Sequence, residues 1–195
     1  MNHKKPVIRN MLEQNTTNMI FYDDSFTKTS FFTGEIPNWQ IPIFYFDFDL
    51  QYTGFVRSGK TPEMKNLTLL HPEQGNLRED LKSVIEQISK ERSLVIIDSL
   101  NGFFNAFEGN KDVGRLINSF LMLFVSAAKH TKSTILVGIL SKLNEGKWVL
   151  YNTGRSVIAN EHFTKIQLTK NENNTLATLL NSDNSSNSDY SISLE

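Results

Sequence analysis

The chain reads as an α/β domain with a mostly parallel central sheet flanked by helices, on three observations. Residues 94–99, Leu-Val-Ile-Ile-Asp-Ser, set four large aliphatics before an acid. That is the pattern of a parallel strand buried on both faces and ending where open α/β sheets bind ligands. An apolar stripe at Leu77, Leu81, Val84, Ile85 and Ile88 forms a helix leading straight into that strand, a helix-then-strand unit of such folds. A late stretch, residues 153–170, has the look of an antiparallel hairpin.

The remaining elements follow in chain order. Residues 1–17 are a polar N-terminal segment in which Val7, Ile8, Met11 and Leu12 fall at helical spacing. They suit a helix packed on the core, or one docked on a partner. Met19–Phe21 form an apolar strand, and Lys28–Ile36 leaves room for a brief helix before Pro37. Ile43-Phe-Tyr-Phe-Asp-Phe-Asp49 is an aromatic strand ending in alternating acids, Asp47 and Asp49 sharing a face at period two. Residues 51–72 are rich in turn formers, with a short strand at Leu67–Leu70. Asn76 with Glu79 three positions on reads as a helix start.

Residues 101–111 hold two glycines with Phe103, Phe104 and Phe107, a loop-like segment suited to a subunit interface or to local packing. Asp112 then caps a broadly apolar helix running through Val113, Ile117, Phe124 and Ala128, followed by a strand at Thr134–Leu140. Lys147–Tyr151 is strand-like. One domain spans residues 18–180. Residues 181–195, rich in Asn, Ser and Asp without Lys or Arg, read as a disordered tail.

Bulk composition narrows the function classes. With 20 basic and 21 acidic side chains, nothing announces a polyanion partner, although Lys4, Lys5, Arg9, Arg57, Lys60 and Lys65 are local basic residues. The absence of cysteine excludes disulfides, thiolate metal sites and thiol catalysis, and fits a reducing cytoplasm. His3, His71, His130 and His162 have no metal-ligand spacing, and no G-x-S-x-G elbow is present. No apolar run nears the ~20 residues of a membrane span and no signal peptide opens the chain, so a cytoplasmic protein without a membrane partner is expected.

The chemistry-bearing candidates cluster at strand ends. Tyr22-Asp-Asp-Ser-Phe-Thr-Lys-Thr29 stands in register with the phosphate loop G-x-x-x-x-G-K-[ST], in which glycines let backbone N–H groups wrap phosphate. Lys28 and Thr29 match, but Tyr22 and Thr27 take the glycine places, and Asp23 and Asp24 bring negative charge where phosphates would lie. A coincidental Lys-Thr dipeptide fits as well. Asp98, seconded by Ser99, stands where such enzymes hold Mg²⁺, or else caps the next turn of a plain core strand.

Taken in order and spacing, these segments resemble the RecA-like family, especially recombinases and their paralogs, over roughly residues 18–171. Late-segment positions Gly154, Ile158, Ala159, Thr164, Lys165, Leu168 and Lys170 match that family's glycine-led stretch. The resemblance implies a P-loop-type fold with a C-terminal antiparallel hairpin. It also places the Thr134–Leu140 strand between the Met19 and Leu94 strands. Its nucleotide site would comprise Lys28, Thr29, Asp98 and Ser99, with Asp98 and Thr29 on Mg²⁺ and Asp49 as the base activating water. Ser141 is a poor stand-in for the usual polar sensor, and the short 142–152 interval lacks a long DNA-binding loop.

The expectation is therefore a vestigial site needing no cofactor, with ATP and Mg²⁺ the only candidates. The chain would be a non-catalytic paralog in a homo- or hetero-oligomeric ring or filament, Elongator-like or recombination-associated, reaching DNA or tRNA through the assembly. Two other readings stand beside it: an ATPase with an irregular phosphate loop, and a nucleic-acid-binding paralog.

Overall fold

The computed structural model describes residues 8–71, 76–109, 111–151, 163–171 and 174–194; the matches at Gly154, Ile158 and Ala159 and the basic Lys4 and Lys5 lie outside these. The elements run α1 (Ile8–Gln14), β1 (Thr17–Tyr22), α2 (Ser25–Glu35), a 3₁₀ turn (Ile36–Asn38), β2 (Ile43–Asp47), α3 (Gln51–Arg57), β3 (Leu67–Leu70) and α4 (Leu77–Ile88). There follow β4 (Leu94–Asp98), α5 (Leu100–Ala106), α6 (Val113–Thr131), β5 (Thr134–Asn144), β6 (Lys147–Leu150), β7 (Phe163–Asn171), β8 (Asn174–Leu180) and β9 (Ser186–Leu194).

The strands form one sheet in the order β3-β2-β4-β5-β1-β7-β8-β9, with β6 paired to β5. Pairings from β3 through β7 are parallel, and β7-β8-β9 close the sheet antiparallel. Strand β5 lies between β4 and β1, as expected.

Alternation along the strands divides the core into two layers. Met19, Phe21, Phe44, Phe46, Val95 and Val137 pack under α4, α5 and α6, whose stripes include Leu81, Phe103 and Phe124. The opposite positions, Ile20, Tyr22, Tyr45, Ile96 and Leu136, pack with Leu12 of α1, Phe32 of α2 and Tyr52 of α3. Since every central strand is covered on both faces, its residues run continuously apolar instead of alternating with polar ones. Ile8 and Leu12 are buried, so α1 is a helix packed on its own core.

Three expectations are corrected. Residues 186–194 form β9, because β8 offers a free edge whose ladder runs from Leu180↔Ser186 to Thr175↔Leu194. Backbone pairing orders that segment despite its polar composition, and the domain extends past residue 180. Residues 101–106 belong to helix α5, started by Ser99, whose Oγ accepts from the Gly102 N–H at 3.2 Å. Phe103, Phe104 and Phe107 are buried in the α6-side core, which is the local-packing reading of that segment. Helix α2 is 11 residues long and starts before Lys28, at Ser25, because Asp24 caps it. Conversely, neither Asn76 nor Asp112 makes a side-chain capping bond, although helices start after both.

Candidate functional site

Period-two alternation points Tyr22, Tyr45 and Asp98 to the α2 side of the sheet at adjoining strand ends, with Asp47 and Asp98 in register. Lys28, one turn into α2, reaches down into this cluster. Its side chain is fully buried and forms an ion pair with the equally buried Asp98 Oδ1. Asp49 Oδ2 lies 3.4 Å from the same ammonium, and the Tyr22 ring centroid 5.2 Å from it. The Tyr45 hydroxyl donates to Asp98 Oδ2 at 2.5 Å.

Burial sets the electrostatics. Desolvation pushes the Asp98 carboxyl up to about 6, against the opposing pull of Lys28 and the Tyr45 hydrogen bond. Burial, with the Asp98 charge beside them, also raises both Tyr45 and Tyr22 above the usual phenol range. Both phenols are therefore neutral, and Tyr45 acts as donor to the carboxylate.

At the start of α2 the anion position is taken by the protein itself. Asp24 Oδ2 accepts from the Thr27 N–H at 2.7 Å and from the Thr27 hydroxyl at 2.6 Å, and these bonds hold its carboxyl below the ordinary range. Thr29 Oγ1 stands 2.9 Å from both the Ser25 carbonyl and Gln51 Oε1. Ser99 is drawn to the Gly102 N–H and to Tyr22. Ser141 donates to the Tyr22 carbonyl at 2.9 Å.

Of the expected site residues, the fold thus joins Lys28, Asp98 and Asp49, while Thr29 and Ser99 are tied to neighbouring protein groups. The pair of acids expected on one strand face, Asp47 and Asp49, does not form. Strand β2 ends at Asp47, and Leu50 turns the chain with φ 56° into α3. Asp47 is wholly buried and accepts from the Thr53 N–H and hydroxyl at 2.7 and 2.6 Å, while Asp49 turns to Lys28. Gly102 matters here: a Cβ on it would lie 2.5 Å from Phe48 Cβ and 2.9 Å from Asp49 Oδ1. Among the described residues no His, Asp or Glu cluster suits a metal ion.

Sequence reading missed Tyr22 and Tyr45 as partners of the Lys28–Asp98 pair. Their signal was alternation, since Tyr45 falls in phase with Asp47 on the aromatic strand and Tyr22 continues the Met19–Phe21 strand by one residue, in phase with Ile20. It also passed over Asp24-Ser-Phe-Thr27, whose Asp-x-x-Thr spacing is that of an N-cap.

No protein-family model and no curated protein matches the chain. Among solved structures it resembles a KaiC-like protein from the hyperthermophilic archaeon Pyrococcus horikoshii OT3, at 13% identity and TM-score 0.54 over 92% of this chain and 85% of that one. It also resembles the RadB recombinase, at 12% identity and TM-score 0.53 over 85% of this chain and 80% of that one. At such identities the likeness speaks for the fold, which is RecA-like. No helix among the described residues is long and apolar enough to cross a membrane.

Proposed function

We propose that this RecA-like chain is a structural subunit of a ring- or filament-type assembly and no longer hydrolyses nucleotide. The observation that carries this reading is the fully buried Lys28 ammonium, neutralised inside the protein by Asp98 with Asp49 beside it. A phosphate would have to draw Lys28 away and leave Asp98 buried without its cation, a cost of about 3–5 kcal/mol. It would also displace Asp24 from the α2 terminus, about 1 kcal/mol more. Together these weaken binding roughly a thousandfold or more. Thr29, held by Ser25 and Gln51, is not presented to Mg²⁺. ATP with Mg²⁺ is thus a poor fit to the residues present.

A RecA-like surface can pack protomer on protomer after its chemistry has gone, and the covered site, with Tyr22 and Thr27 in the glycine places of the phosphate loop, favours a scaffold, Elongator-like or recombination-associated. Titration with a fluorescent ATP analogue and Mg²⁺, with light scattering on the same sample, tests it. The expected result is no saturable nucleotide binding and an oligomer whose mass ignores nucleotide. Binding and hydrolysis that vanish in Lys28→Ala and Asp98→Ala would instead establish the ATPase with an irregular loop, in which Lys28 meets phosphate and Asp49 positions water. Single-stranded DNA or RNA binding that weakens steeply with salt would favour the nucleic-acid-binding reading.

A further inference from the structure

Among the described residues, two pairs of large apolar side chains stand half exposed on opposite layers of the fold. Phe26 (56% exposed) lies in the first turn of α2 and Leu50 (57%) immediately precedes α3, both helices of the Ile20–Tyr45 layer. Met122 (51%) and Leu123 (52%) adjoin on α6, which packs on the other layer. The Phe26 ring centroid is 5.6 Å from that of Phe55 on α3, so α2 and α3 present one aromatic patch. Singly exposed apolar residues are ordinary, whereas a patch joined across two helices marks a contact surface.

The two surfaces differ in charge. Asp23, Asp24 and Asp49 flank Phe26 and Leu50 along the chain and are exposed, with Lys170 bearing on Asp24. Arg57 and Lys60 stand at the far end of α3, the Lys60 ammonium 5.0 Å over the Phe55 ring. Helix α6 holds no acid from Val113 to Thr131, and Arg115, Lys129 and His130 are exposed on it. Asp112 meets Arg115 at its start, 3.7 Å away. Arg115, Met122 and Lys129 recur at intervals of a heptad and so lie along one stripe of the helix.

We propose that the Phe26–Leu50 surface of one copy of the chain seats on the Met122–Leu123 surface of the next. The proposal rests on the reading of the chain as an assembly subunit and names the surfaces that would join. Pairing either surface with itself would set acids against acids or bases against bases; pairing one with the other opposes Asp to Arg and Lys. The Met122 thioether also suits an aromatic neighbour. Because the surfaces leave opposite layers of the sheet, each added copy keeps one free for another, which is what a ring or filament requires.

The test is light scattering of the full chain over a concentration series, for wild type, Phe26→Arg, Leu123→Arg and an equal mixture of the two variants. Both positions are half exposed, so the fold accepts the substitutions. Each variant alone is expected to associate roughly thirtyfold more weakly or worse, its mass falling towards the monomer. The mixture should form a dimer and stop there, since each variant retains the surface the other lacks. Added salt should weaken the association. Variants that assemble as wild type does, a mixture that stays monomeric, or association indifferent to salt would overturn these surfaces while leaving the subunit reading in place. A wild type that is monomeric at every concentration overturns both. ATP hydrolysis with the variant pattern intact overturns the non-hydrolysing reading and supports the surfaces.

Discussion

Burial of Asp98, which outweighs the opposing pull of Lys28, makes stability depend on pH in a definite direction. Asp98 titrates at about 6 when folded, against 3.8 as its ordinary value. Between those values the folded chain holds a proton the unfolded chain has released, so stability falls as pH rises from about 4 to about 6 and then levels off. The change is on the order of 3 kcal/mol at most. Asp24 works oppositely: its lowered value contributes stability above the unfolded value, lost as pH falls through the folded one. Urea unfolding across this range should show the Asp98 slope in wild type and its absence in Asp98→Asn. Lys28→Met should cost about 3–5 kcal/mol near neutral pH and distinctly less near pH 5, where Asp98 takes up a proton. An equal loss at both values would mean that the ion pair does not hold the site together.

Elements are positioned by contacts that single glycines permit. Helix α5 approaches the turn after β2 so closely that Gly102→Ala forces Phe48 and Asp49 aside. The expected loss is about 1–3 kcal/mol. Gly54, on the exposed side of α3 with nothing within 4 Å of an added Cβ, is the control. Gly54→Ala should stabilise by about 0.4–1 kcal/mol, through helix propensity and a less flexible unfolded chain. Calorimetry of the two variants checks both signs, and a stabilising Gly102→Ala would refute the close approach. Gly102 also explains the misreading of residues 101–111. A glycine among phenylalanines looks like a loop from spacing alone, yet here it is the point where a buried helix touches a neighbouring turn. The α4 and α6 stripes were legible because their apolar periodicity needs no knowledge of the partner.

The whole molecule depends on how its sheet ends. Strand β9 covers the edge of β8 by backbone pairing, so its polar composition hid it. Truncation after Asn181 should leave β8 as a bare edge, lowering the melting temperature and promoting self-association, measurable by light scattering under heating. A truncated chain as stable and as dispersed as the full one would show that β9 contributes nothing. The same measurement compares against the ring or filament mass, since association through a bare edge grows with time and a closed ring does not.

Sequence by itself determined the alternation of strands and helices and the parallel core, because burial on both faces leaves a local signature, and it singled out Lys28, Asp49 and Asp98 as candidates by motif register and place along the chain. Tertiary structure decided what those residues meet. That Lys28 lies inside the protein against Asp98, and that Asp47 turns to Thr53 while Asp49 turns to Lys28, depend on how α2, α3 and α5 seat on the sheet. Charges on different segments pair through space, and no periodicity along the chain encodes the distance between them.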